Sequence, residues 1–245
     1  MPRPDSLSVL QTWQSVAGII DHTLLKPDAT AEQIAQLCRE AAHYRFATAF
    51  VQPCWVELAS RTLTGSGVKV GTPIGFPHGA NLTPVKRLEA EQAVKAGAKE
   101  LDLVINIGAL KSGDRKLVQA DIQVVVDAAH SHGALVKVIL ETSLLTTDQK
   151  IVACHLSMAA GADFVKTSTG FNGGGATVED VMLLRASVSS EMAVKASGGI
   201  RTLADIRKML VAGAGRIGTS SGLSILRELG APDLTALIPG TATGY

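Results

Sequence analysis

The sequence predicts a (β/α)8 TIM barrel, and three observations carry that expectation. A small-residue turn built on glycine recurs immediately before apolar segments of strand character. Eight such segments can be placed, with stretches long enough for helices between them. The chain has 245 residues, close to the roughly 250 typical of one such barrel.

The elements follow in order. Residues 1–17 read as an extra amphipathic helix ahead of the first strand, which is placed near 18–22. The second and third strands fall near 46–51 and 68–74, and Ile34, Leu37, Cys38 and Ala41 recur at helical spacing before the second. Val94-Lys95-Ala96-Gly97-Ala98 then turns the chain into Leu101-Asp102-Leu103-Val104-Ile105, within a fourth strand near 100–106. His132-Gly133-Ala134 leads into the fifth, near 134–140, and Ala160-Gly161-Ala162 into the sixth, near 163–168. The seventh lies near 192–197, and Ala212-Gly213-Ala214 introduces the eighth, near 215–219. Alternating β and α elements imply a parallel sheet, because parallel neighbours need a crossover. Eight units at this length favour closure over an open doubly wound sheet, although periodicity does not report whether the first and last strands pair. No Pro-, Ser- or charge-rich linker interrupts residues 18–230, so residues 1–245 are expected to form one domain with a loose, flexible tail over 231–245.

Composition narrows the function. With 23 basic and 22 acidic residues the net charge is +1, and no basic block or aromatic-interleaved stripe marks a nucleic-acid partner. No apolar run approaches the roughly 18 residues of a membrane span, and Met1-Pro2-Arg3-Pro4-Asp5-Ser6-Leu7 lacks a signal-peptide core. Cys38, Cys54 and Cys154 match no paired spacing, so neither a disulfide framework nor a zinc site is indicated. A soluble, cytoplasmic protein is expected.

Two lysines stand out: Lys166 in Asp163-Phe164-Val165-Lys166 and Lys195 in Ala193-Val194-Lys195-Ala196 lie inside apolar strands about 30 residues apart. A buried strand is a costly place for an ammonium group. Two such lysines suggest a nucleophilic amine beside a second cation, and hence Schiff-base chemistry. The loops at the carboxyl ends of barrel strands build active sites. The polar residues to weigh there are Asp21 with His22, Asp102 with Asn106, Lys137 with Glu141, Lys166 with Ser168, and Lys195 with Ser197. For any one of them, a solvated strand end or a structural ion pair is an equal explanation. For five strands together it is less attractive, because a buried network of that size costs stability.

A phosphate site is suggested by the late loops. Thr167-Ser168-Thr169-Gly170-Phe171-Asn172-Gly173-Gly174-Gly175 follows the sixth strand, Ser197-Gly198-Gly199-Ile200 the seventh, and Gly218-Thr219-Ser220-Ser221-Gly222 the eighth. Glycines let backbone N–H groups approach an anion, and barrels commonly bind phosphate in these last loops. Glycine also makes ordinary turns, so the loops alone are a weak signal. His130 and His132 do not share a helix face and read as surface or capping residues, and His78 has no evident partner. No GxSxG elbow and no dinucleotide fingerprint is present.

Ile20-Asp21-His22-Thr23-Leu24-Leu25, Gly75-Phe76-Pro77, Glu100-Leu101-Asp102, Lys137-Val138-Ile139-Leu140-Glu141-Thr142, Phe164-Val165-Lys166-Thr167-Ser168-Thr169-Gly170 and Val194-Lys195-Ala196-Ser197-Gly198-Gly199-Ile200-Arg201 together resemble the deoxyribose-phosphate aldolase family, in order, from about residue 18 to residue 228. The resemblance implies a class I aldolase on a (β/α)8 barrel that needs no metal and no cofactor. Its reaction would cleave 2-deoxy-D-ribose 5-phosphate to acetaldehyde and D-glyceraldehyde 3-phosphate. It places the Schiff-base lysine at Lys166, proton transfer at Asp102 and Lys195, and phosphate contacts at Gly170, Gly198, Gly199, Ser220 and Ser221. Asp21 and Lys137 would support that network.

Two positions depart from the family. Phe50 stands where many members carry cysteine, which puts thiol-dependent inactivation by aldehydes in doubt. Phe171 stands where some carry lysine, which implies weaker phosphate affinity or a greater share for backbone groups.

An unperturbed lysine, pKa about 10.4, is less than about 0.1% free amine at pH 7. A neighbouring Lys195 cation and an apolar wall are expected to lower the pKa of Lys166 toward neutrality. The tail ends in Tyr245, which is either a passive end or a phenol folded over the barrel mouth to help protonate the enamine. The partners expected are sugar phosphates and aldehydes, and the assembly expected is a homo-oligomer, dimer or tetramer. The competing readings are a phosphate-binding barrel isomerase or lyase using acid–base chemistry alone, and a non-catalytic sugar-phosphate binder.

Overall fold

The computed structural model describes residues 8–234. Eight parallel strands close on themselves in sequence order: β1 (Ile20–Leu24), β2 (Thr48–Val51), β3 (Lys69–Ile74), β4 (Glu100–Val104), β5 (Leu135–Ile139), β6 (Phe164–Lys166), β7 (Ala193–Ser197) and β8 (Arg216–Thr219). The closing seam pairs Ile20 with Ile217 and Asp21 with Gly218. That pairing excludes the open sheet and makes the chain a TIM barrel.

The glycine turns work as their sequence suggests. Gly97, Gly133, Gly161 and Gly213 all have positive φ, between 67° and 110°. After each, the next amide reaches back to a carbonyl five residues earlier: Ala98 to Ala93, Ala134 to Ala129, Ala162 to Ser157, and Ala214 to Met209. This is the helix-ending pattern that a left-handed glycine permits, and it aims the chain straight into the next strand.

Helix starts are set by side-chain caps. Thr30, Thr146 and Thr202 each accept the amide three residues on, while Gln33, Gln149 and Asp205 return the bond. The helix Ala31–Tyr44 buries Ile34, Leu37, Cys38 and Ala41, the stripe read from sequence, and Tyr44 with them. The amino-terminal helix is shorter than expected. A 3-10 turn spans Ser8–Gln11, and Thr12 then caps a short helix, Trp13–Ala17. Residues 1–7, and all of the tail beyond residue 234 including Tyr245, lie outside the described residues.

Strand alternation divides the molecule into two interiors. Leu101, Leu103, Val136, Val138, Val165, Val194, Ala196 and Ile217 face the helices in one large apolar core. The opposite faces of the same strands carry Glu100, Asp102, Lys137, Lys166, Lys195 and Arg216 into the barrel. Among the described residues no helix is long and apolar enough to cross a membrane.

Candidate active site

Strand register decides which side chains meet. Lys166 and Lys195 are direct partners across β6 and β7, and Asp102 is the partner of Lys137 across β4 and β5. Past the last paired residues, β6 and β7 are clipped together. The Thr167 amide donates to the Lys195 carbonyl, the Ser197 amide to Thr167 Oγ1, and Ser197 Oγ to the Ser168 carbonyl at 2.6 Å. The two lysines therefore emerge side by side from a rigid pair of strand ends.

Asp102 is the hub. Its Oδ2 lies 2.8 Å from Lys166 Nζ and 2.6 Å from Lys195 Nζ, and its Oδ1 lies 2.9 Å from Lys137 Nζ. Lys195 also bonds Asp21, and Asp21 in turn accepts from Arg216 at 2.7 Å. Glu100 closes the cluster from below, 2.7 Å from Lys137 and 2.9 Å from Arg216. Three carboxylates thus face four basic groups. A fifth, the half-exposed Lys69, reaches Glu100 from outside the barrel at 3.9 Å. Phe50 fills the middle: its ring centroid lies 4.4, 5.4 and 5.6 Å from the Nζ atoms of Lys195, Lys166 and Lys137. Gly71 on β3 makes this possible, since a Cβ there would come within 2.4 Å of the Phe50 ring.

The electrostatics single out one lysine. Burial would lower Lys137, but Asp102, Glu100 and Asp21 outweigh it and hold that ammonium above its ordinary range. Burial likewise works against ionised Asp21 and Asp102, yet the surrounding cations hold both carboxyls below theirs. Lys166 moves the other way, to about 8. Burial is the main cause, Lys195 and Lys137 add to it, and Asp102 opposes. The sequence pointed to the neighbouring cation first; desolvation is the larger effect.

Lys166, Lys195 and Phe50 line a cavity of about 250 Å³ at the carboxyl ends of the strands. Gly170, Gly198, Gly199, Ser220 and Ser221 line the same cavity, as the late-loop pattern suggests. The amides of Gly170, Gly199 and Ser220 donate to no group among the described residues, so they are available to an anion. The Ser221 amide is spent on Thr219 Oγ1 at 2.9 Å, which leaves that residue its hydroxyl. Gly198 also serves packing: a Cβ there would sit 2.9 Å from Gly175 Cα. A second cavity, about 270 Å³, is lined by Cys54, Glu57 and Glu89 on the barrel flank and holds none of these groups.

A model of the DeoC/LacD family aldolases matches residues 15–229. The chain belongs to that family. It is 57% identical over 208 residues to a deoxyribose-phosphate aldolase of Streptococcus sanguinis strain SK36, an alignment covering 85% of this chain and 94% of the relative. Among solved structures, a putative deoxyribose-phosphate aldolase from Coccidioides immitis superposes with TM-score 0.86 at 48% identity, over 93% of this chain and 88% of the other. A deoxyribose phosphate aldolase from Aeropyrum pernix, described as tetrameric, gives TM-score 0.86 at 38% identity, covering 92% and 95%.

Within this DeoC/LacD aldolase the structure also separates residues that the sequence paired. His22 turns out of the barrel, stacks on Phe46 and bonds Glu40 at 2.9 Å. Asn106 caps the helix Ile107–Lys111 instead of extending β4. Glu141 leaves β5 in a left-handed conformation and faces the loop after β6, away from the lysines. His130 pairs with Asp163 at the surface, and no group of three or more His, Cys, Asp or Glu able to hold a metal occurs among the described residues.

Sequence reasoning missed Glu100 and Arg216 as cluster members. Period-two alternation contained the signal, because Glu100 shares a strand face with Asp102. It also missed Thr23, Lys26 and Arg201, which line the same cavity. Neither Lys26 nor Arg201 has an ion-pair partner among the described residues. Phe171, half exposed, lies edge-on to Phe76 with ring centroids 5.1 Å apart.

Proposed function

We propose that this protein is a class I aldolase that reversibly cleaves 2-deoxy-D-ribose 5-phosphate to acetaldehyde and D-glyceraldehyde 3-phosphate through a Schiff base on Lys166. One observation carries the reading: a buried lysine with its pKa lowered to about 8, hydrogen-bonded to Asp102, at the floor of a cavity rimmed by open amides. The substrate is that of the deoxyribose-phosphate aldolases to which the chain is similar.

The free amine of Lys166 adds to the aldehyde carbon, and loss of water gives the protonated imine. Removal of the proton from the C3 hydroxyl lets the C2–C3 bonding pair move into the imine. D-Glyceraldehyde 3-phosphate departs and an enamine remains on Lys166. Protonation at the terminal enamine carbon, followed by hydrolysis, releases acetaldehyde and restores the amine. Asp102 bridges Lys166 and Lys195 through one oxygen, so it and Lys195 are the groups placed to carry the proton in both directions. The open amides of Gly170, Gly199 and Ser220, with the hydroxyl groups of Ser220 and Ser221, would hold the phosphate.

Borohydride reduction in the presence of acetaldehyde tests this directly. One ethyl group should appear on the Lys166 peptide and be absent from Lys166→Met. Labelling at Lys137 or Lys195, or cleavage without any trapped adduct, would overturn it; the second outcome would favour acid–base chemistry alone. We also propose a homo-oligomer, dimer or tetramer. The tetrameric Aeropyrum pernix relative and exposed Leu82, Val85 and Leu88 support this reading. Light scattering would read a single-chain mass if it is wrong.

A further inference from the structure

We infer that Glu141 is a positioning residue that fixes the loop after β6 in its anion-binding shape and thereby sets the preference for a phosphorylated substrate. This rests on the phosphate reading of the cavity given above.

Glu141 is fully buried and its backbone is left-handed, with φ of 57°. That conformation is unfavourable for a residue with a side chain and persists where surrounding bonds over-determine it. Here the bonds are identifiable. The carboxylate accepts the Thr169 amide at 3.3 Å, the Thr169 hydroxyl, and Asn172 Nδ2 at 2.8 Å. The Thr169 oxygen in turn accepts the Phe171 amide at 3.1 Å. Asn172 also reaches the Pro77 carbonyl at 3.2 Å, and Phe171 lies against Phe76, so the same loop is tied across the barrel mouth to the loop after β3.

Every group aimed at Glu141 is a donor, and only a carboxylate offers acceptors on both oxygens. The loop held this way carries Gly170, whose free amide lines the cavity between its two neighbours in the network, Thr169 and Phe171. Glu141 is not among the cavity-lining residues. Its influence on a ligand must therefore pass through the loop. A carboxylate buried this close to an anion site would otherwise repel the ligand. Three donors directed at it offset that repulsion and turn the carboxylate into an anchor.

Glu141→Gln keeps size and shape but replaces one acceptor with a donor that faces donors. In the full chain, affinity for inorganic phosphate, read by calorimetry, and KM for 2-deoxyribose 5-phosphate should both worsen by about tenfold or more. Turnover of unphosphorylated 2-deoxyribose and borohydride trapping at Lys166 should stay within about twofold, because the Asp102 hub is untouched. Equal losses on both sugars, or unchanged phosphate affinity, would overturn the assignment. If Glu141→Gln does not fold, Asn172→Leu cuts one of the three arms and is read by the same measurements with the same refuting outcomes. Phosphate binding is measured without turnover, so failure of the aldolase reading would be seen separately, as absence of cleavage by the unaltered protein.

Discussion

Raising the pH from 6 to 9 should titrate Lys166 from almost fully protonated to almost fully free. With its pKa lowered to about 8 by burial, the amine fraction goes from about 1% at pH 6 to about 9% at pH 7 and about 90% at pH 9. The observed rate of imine formation with acetaldehyde should rise about 90-fold over that window and level off. A lysine at its ordinary value would rise about 1000-fold over the same window and keep rising beyond it. The sign follows from the proposed chemistry: there the free amine is the nucleophile, so the proton must leave before attack. Single-turnover borohydride trapping, quenched at early times and read on the Lys166 peptide, measures the rate without the later steps. Lys195→Leu sharpens the test. It removes a cation that disfavours the Lys166 ammonium and frees Asp102 to favour it, so the inflection should move up. A profile with no plateau by pH 10, or an inflection that moves down in Lys195→Leu, would refute the account of how this amine is activated.

Ser221→Asp places a carboxylate among the open amides. It should raise KM for the phosphorylated sugar about tenfold or more while leaving unphosphorylated 2-deoxyribose little changed. The residue sits at the start of the helix Gly222–Glu228, where aspartate is well tolerated, so stability should hold; equal effects on both sugars would count against the site. Gly71→Ala drives a Cβ into the buried Phe50 ring and should destabilise the fold by about 1–3 kcal/mol, measured by urea unfolding. Exhaustive chelation should leave cleavage rates unchanged, and activity restored by zinc would assign the chemistry to a metal.

Local chemistry determined much of this molecule before any contact was known. The four glycine turns and the apolar stripe of Ala31–Tyr44 act within a few residues of themselves, so the sequence reports them directly. Every strand was legible to within two residues for the same reason. Lys166 and Lys195 were legible because an ammonium inside an apolar strand conflicts with its surroundings. What pairs with what was not legible. Closure between β1 and β8, the convergence of three lysine Nζ atoms on Phe50 and the outward turn of His22 depend on register and on residues up to 197 positions apart. The relative weights of burial and Lys195 at Lys166 likewise depend on how much water the closed barrel excludes. Sequence spacing shows which residues share a strand face. Only the folded barrel sets the distances and the desolvation that lower the pKa of Lys166 to about 8 and hold that of its neighbour, Lys137, above the ordinary range.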